Sequence, residues 1–187
     1  MFRQLIADYV PKNAMEAADK AQMLALIDAY PESILSRENT VAHITASGFI
    51  LNEASDKLLM VHHNIYNSWG WTGGHADGDE DLFGVALKEA QEETGVTDFV
   101  PIQKKIAALD IIPVWAHIKN GKPVTAHLHL NVTYLLTARD DALLTVKPDE
   151  NSGVAWIPVG KLADYCTEPL MLPIYEKLIA HAKAVKN

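Results

Sequence analysis

Residues 74–96 read GHADGDEDLFGVALKEAQEETGV, and the spacing within this stretch decides how the rest of the chain is read. Asp81 stands where it can cap a helix, and Leu82, Val85 and Ala86 follow at the repeat that faces a core. Glu89, Glu92 and Glu93 lie three and four residues apart on the outward side of that helix, spanning roughly a 100° arc. A solvated acidic face tolerates such crowding at a few tenths of a kcal/mol per pair. A divalent cation instead turns the repulsion into attraction, and hard carboxylate oxygens suit Mg²⁺ or Mn²⁺, whereas zinc calls for His and Cys at tetrahedral spacing. Just upstream, Gly73 and Gly74 let the backbone approach a ligand closely, with carbonyls for a metal or amides for a phosphate.

Outward from this stretch, composition narrows the choices. The 187 residues suit one domain with a single continuous core. A net charge of -8 argues against an extended nucleic-acid partner held by a broad basic surface. A single cysteine, Cys166, excludes an internal disulfide and agrees with a reducing cytoplasm. The opening MFRQLIADYV has no long apolar segment before a small-residue cleavage site, so no secretory leader is expected. No membrane span is expected either, because the longest uncharged stretch, 123–138, is broken by His127, His129 and Asn131 and alternates like a strand.

The first forty residues read as helical. Asn13 with Glu16 three positions on resembles a capping box, and Met23, Ile27 and Tyr30 recur at helical spacing before Pro31. From Val41 the period changes to two. Residues 41–51 and 57–63 read as strands joined by a polar turn, and 69–71 as a short aromatic strand. Runs 106–118 and 123–137 flank Lys119-Asn120-Gly121-Lys122, a strong hairpin signal. Residues 154–159 form a last strand and 174–183 a terminal amphipathic helix. Strands on both sides of a central helix, with helices at the termini, predict a mixed sheet between helical layers.

The fixed positions Gly74, Glu80, Lys88-Glu89, Glu92-Glu93, Gly95 and Val96, with their gaps of five and seven residues, resemble the Nudix box, with Lys88 where arginine is usual. The resemblance implies an α/β/α sandwich with a mixed β-sheet, with 1–38 as an N-terminal helical extension and 39–187 as the Nudix hydrolase domain. It also implies a pyrophosphohydrolase that attacks phosphorus in a small-molecule, nucleoside-diphosphate-linked substrate, using Mg²⁺ or Mn²⁺. Carried over by position, Glu89, Glu92 and Glu93 are metal ligands together with the Gly74 carbonyl. Glu80, Lys88 and Gly95 are structural. Lysine lacks arginine's planar fork, which bears on rate and metal geometry more than on reaction class. Some family members add a carboxylate from the loop before the last strand, which here points to Glu150; the general base is Glu150, Glu89 or Glu92.

Gly73 and His75 are candidate phosphate contacts. His127 and His129 share one face of a strand, which permits joint metal binding, but no Cys or third His lies nearby at ligand spacing, so both are expected to face the substrate cleft. His62 and His63 read as ordinary strand-end residues. Trp71, with Trp69 and Trp115, offers a face for a nucleobase, although core packing is the expected role for at least two of the three. Cys166 reads as structural. Two other readings compete. An isopentenyl-diphosphate isomerase-like enzyme uses a cysteine before a degenerate box, and here the box is intact with no cysteine ahead of it. A non-catalytic nucleotide-binding regulator typically loses box glutamates, and these are all kept. The helical extension caps the cleft or builds a homodimer.

Overall fold

The computed structural model describes residues 2–65, 67–119 and 121–186. The period-two segment after Val41 becomes the central strand β1 (Ala42–Asn52), buried along its whole length. It pairs antiparallel with β2 (Lys57–His63) through the turn at 53–56, and β2 pairs in turn with the short β3 (Ser68–Gly70). β4 (Thr72–His75) returns alongside β1 in the register Ser47 to Gly73 and Thr45 to His75. After the box helix α3 (Leu82–Thr94) come β5 (Val100–Pro101) and β6 (Ala108–Val114). The sequence reading has one strand over 106–118, but it breaks after Val114, and β7 (His117–Lys119) pairs with β8 (Lys122–Val124) as a separate ribbon. Gly121 takes the left-handed backbone, φ 75°, that a hairpin turn requires; Asn120 lies outside the described residues.

β9 (His127–Ala138) runs parallel to β1 and antiparallel to β6, and β10 (Asn151–Pro158) joins the sheet beside β2. The main sheet is therefore mixed, in the order β10, β2, β1, β9, β5, with β3, β4 and β6 branching from it. Alternation along β1 sends Ile44, Ala46 and Ile50 toward clusters shared with α3, while Phe49 and Leu51 pack with the terminal helix α5 (Met171–Lys186), which follows the short α4 (Leu162–Tyr165). On that second face the residues preceding Phe49 are polar: His43, Thr45 and Ser47, all buried. The sheet is greasy where α5 covers it and polar where it does not.

The N-terminal segment forms two helices, α1 (Phe2–Asp8) and α2 (Ala14–Ala29), and Phe2, Ile6, Met23 and Ile27 share a buried cluster with Ile44 and Leu130. α1 is too short for a periodic signal to reveal. Asn13 caps α2, its side chain accepting the Glu16 N–H at 2.8 Å. The reciprocal bond of a capping box is not made. Glu16 instead accepts the Lys12 N–H at 2.8 Å and the Tyr9 hydroxyl at 2.7 Å, and lies 3.0 Å from the Lys177 ammonium, which also reaches Asp110 at 2.6 Å. This buried ionic knot ties α2, β6 and α5 together. No helix among the described residues is long and apolar enough to cross a membrane.

Candidate active site and an adjoining histidine cluster

Local chemistry fixes α3 at both ends. The Asp81 carboxylate accepts the Gly84 N–H at 3.1 Å, and Gly95 ends the helix at φ 76°, donating its N–H to Gln91 at 2.9 Å. With Leu82, Val85, Ala86 and Ala90 buried, the glutamate face is turned toward β4. Its members are not alike. Glu92 is exposed and Glu89 half-buried, but Glu93 is only 3% exposed, which corrects the expectation that all three face outward. Glu93 lies in the last turn, where α3 meets β4, and accepts the Gly73 N–H at 2.9 Å. Burial pushes its carboxyl up to about 8, against the lowering effect of that bond, and Glu89 adds to the rise. Glu89 is itself raised, first by burial and then by Glu92 and Glu150.

The paired glycines are required by contact. A Cβ on Gly74 would stand 2.4 Å from the Glu89 carboxyl carbon, and one on Gly73 would stand 2.4 Å from Ser47 Oγ and 2.8 Å from the Ala46 carbonyl. A side chain on Gly73 would push β4 off β1, and one on Gly74 would displace the Glu89 carboxyl.

The segment leading into β10 completes the acidic group. Asn151, fully buried, donates to the Glu93 carbonyl at 3.1 Å, tying the start of β10 to the end of α3. Glu150 is thereby brought to the box, and Lys147 bridges it at 3.0 Å to Glu92 at 3.2 Å. Burial alone would lower the Lys147 pKa, but the two carboxylates carry it above the ordinary lysine value. Lys147 was invisible in the sequence because nothing local marks a lysine 55 positions from its partner. Lys88 lies 3.7 Å from Glu92 and is largely exposed, while Glu80 sits in the exposed loop before α3.

Beside this group opens a cleft of about 240 Å³, lined among others by Gly73, Gly74, His75, Trp71, His129 and Asn131. Trp71 is buried edge-on against the Tyr175 ring at 5.4 Å and donates its backbone N–H to the Tyr175 hydroxyl at 3.2 Å. Trp115, by contrast, is 74% exposed at the rim. His63, read from the sequence as an ordinary strand-end residue, also lines the cleft, with Nε2 3.2 Å from the Trp71 carbonyl. The deeper wall is a polar network in which Thr45 and Ser47 both donate to the Asn131 side chain at 2.9 Å. Cys166 is buried, and burial raises its thiol.

At one end of this wall the registers His43 with His129 and Thr45 with His75 bring histidines from β1, β4 and β9 together. Ring nitrogens of His43, His75 and His129 lie within 4.8 Å of one another, and the His127 ring is 4.8 Å from that of His43. No spacing in the sequence puts a third histidine beside His127 and His129; the parallel pairing of β1 with β9 supplies it from 84 or more positions away. Burial lowers His129 to about 2 and His75 to about 3, with the neighbouring cationic and imidazole groups adding to both. At neutral pH His75 and His129 are therefore uncharged.

Comparison with known proteins places this geometry. The NUDIX domain model matches residues 41–180. A 55-residue segment is 34% identical to Nucleoside diphosphate-linked moiety X motif 6 of Xenopus laevis, covering 28% of this chain and 25% of that protein; the chain thus matches about a quarter of that relative's length. Among solved structures, the E. coli dihydroneopterin triphosphate pyrophosphohydrolase superposes with a TM-score of 0.55 at 14% identity, over 73% of this chain and 94% of its own. The C. elegans Ap4A hydrolase binary complex gives 0.51 at 16% identity, over 75% and 98%. At these identities the likeness is one of fold.

Proposed function

The chain belongs to the NUDIX domain family, and on that premise we propose that it hydrolyses a phosphoanhydride bond in a nucleoside-diphosphate-linked or similar small molecule, with Mg²⁺ or Mn²⁺. The observation that carries this reading is the convergence of Glu89 and Glu93 on the glycine pair that lines the cleft, with Glu92 and Glu150 held beside them by Lys147. The donor set fits a hard dication. It is all oxygen, and it holds a buried carboxyl bonded through only one of its oxygens to Gly73, as well as a glycine where any side chain would displace Glu89.

Glu89, Glu92 and Glu93 would hold the ion together with the Gly74 carbonyl. When bound, it supplies charge neutralisation at the diphosphate and lowers the pKa of a coordinated water. The Gly73 amide fixes the Glu93 carboxylate before substrate arrives. Glu89 or Glu150 takes the proton as the water oxygen bonds to phosphorus and the bridging oxygen departs with the electron pair of the broken bond. Lys147 holds Glu92 and Glu150 in place. On the cleft wall His75 and His129, neutral, serve as hydrogen-bonding groups rather than as cations, and Trp71 braces the floor through Tyr175. A cytoplasmic location and a homodimer belong to the same proposal.

A panel of nucleoside triphosphates, nucleotide sugars, ADP-ribose, dinucleoside polyphosphates and diphosphate alcohols, assayed with and without Mg²⁺ or Mn²⁺, tests the reading. Metal-dependent release of phosphate or nucleotide is expected, with Glu93→Gln strongly impaired. Turnover that is indifferent to metal and to Glu93→Gln refutes it. Tight metal-independent nucleotide binding without turnover favours the regulator.

A further inference from the structure

We propose that His43, His75, His127 and His129 form a closed site for a transition-metal dication of the zinc type, separate from the carboxylate site.

The tautomers come first. His43 Nδ1 lies 2.9 Å from the Asn39 carbonyl and His127 Nδ1 lies 2.7 Å from the Thr125 carbonyl. A carbonyl only accepts, so both rings carry a proton on Nδ1, and the neutral form of each offers Nε2 as its coordinating atom. This is the second-sphere arrangement that orients metal-binding histidines. His43 is 2% exposed, and its Nε2 has no hydrogen-bond partner. Such a buried, unmet acceptor costs roughly 1–3 kcal/mol, and a bound metal ion would meet it.

One pair of nitrogens already stands at the spacing a metal requires. His127 Nε2 and His129 Nε2 are 3.3 Å apart, the edge length of a tetrahedron with metal–nitrogen bonds of about 2.0–2.1 Å. One nitrogen from each of His43, His75 and His129 lies within 4.8 Å of the others, wider than that edge, so binding draws the rings inward. Arg37, whose charge acts on His43, His75 and His129, is held in a two-pronged pair with Asp77 that offsets it locally. An all-imidazole set selects Zn²⁺, Co²⁺, Ni²⁺ or Cu²⁺ over the oxygen-seeking Mg²⁺ of the box. The two donor sets share no metal ligand, the chain step from Gly74 to His75 dividing them, and a metal on the histidines would take His75 and His129 out of the hydrogen-bonding role the hydrolase reading gives them on the cleft wall.

The test uses the full chain, stripped with a chelator and dialysed, then titrated with Zn²⁺ or Co²⁺ in excess Mg²⁺. One equivalent is expected to bind despite the Mg²⁺, with the strong visible absorption of four-coordinate Co²⁺. His129→Gln and His43→Gln should weaken binding at least tenfold, while Glu93→Gln leaves it unchanged. Should those variants fail to fold, X-ray absorption of the zinc-loaded wild type decides: an imidazole first shell supports the site, and an oxygen shell overturns it. Absence of Mg²⁺-resistant binding, or its equal loss in Glu93→Gln, also overturns it.

Discussion

The glutamate cluster and the histidine cluster border one cleft and were built in opposite ways. Glu89, Glu92 and Glu93 come from a single helix within five consecutive positions, so the helical repeat alone puts them together. His43, His75, His127 and His129 come from three strands and meet only because β1 lies parallel to β9 and antiparallel to β4. The first cluster crowds acidic groups whose charge a cation would offset; the second crowds imidazoles, of which His43 and His127 turn Nδ1 to a backbone carbonyl. A site encoded by local periodicity can be read from one line of sequence, and a site encoded by strand pairing cannot.

The contrast can be broken first at Glu93. Glu93→Gln should lower turnover by at least about a hundredfold, the kinetic equivalent of losing a few kcal/mol of charge stabilisation, whereas His129→Gln should cost less than tenfold. Steady-state kinetics of the two variants side by side decides, and equal losses would merge the two clusters into one site. Lys177→Met tests whether a buried charge group away from both clusters is purely structural. It strands Glu16 and Asp110, 1% and 6% exposed, and should destabilise the fold by about 3–5 kcal/mol in denaturant unfolding, with kcat unchanged in the protein that remains folded. Gly74→Ala drives a methyl into Glu89 and should cut kcat about tenfold while the thermal midpoint moves by only a few degrees, reflecting overpacking of about 1 kcal/mol. Lys147→Ala removes a competing cation from Glu92 and Glu150. The Mg²⁺ concentration for half-maximal rate should fall by up to about fivefold, within the range of an exposed ion pair.

The fold was largely legible for the same reason as the glutamates. The change of period at Val41, the Asp81 cap and the polar turn before β2 are all local signals, and β2 occupies 57–63 as read. What was misread depended on distant partners. Glu93 looked outward because the repeat cannot reveal that β4 lies over the last turn of α3. Glu16 looked like half of a capping box, yet Tyr9 and Lys177 claim it. The run at 106–118 looked continuous because the break after Val114 falls between residues that are individually at home in strands. His43 was missed, and His75 was read only as a phosphate contact, because no spacing rule joins β1, β4 and β9 across such gaps.

That gap carries a consequence in time. During synthesis α3 and its carboxylates can form as soon as their own residues are available, whereas the pairing of His43 with His129 must wait for a loop of some eighty residues to close. An ion captured by the histidines would therefore recognise only chains that have finished this closure. It would hold them in the native state by mass action, acting less as a reagent than as a latch on completed folding.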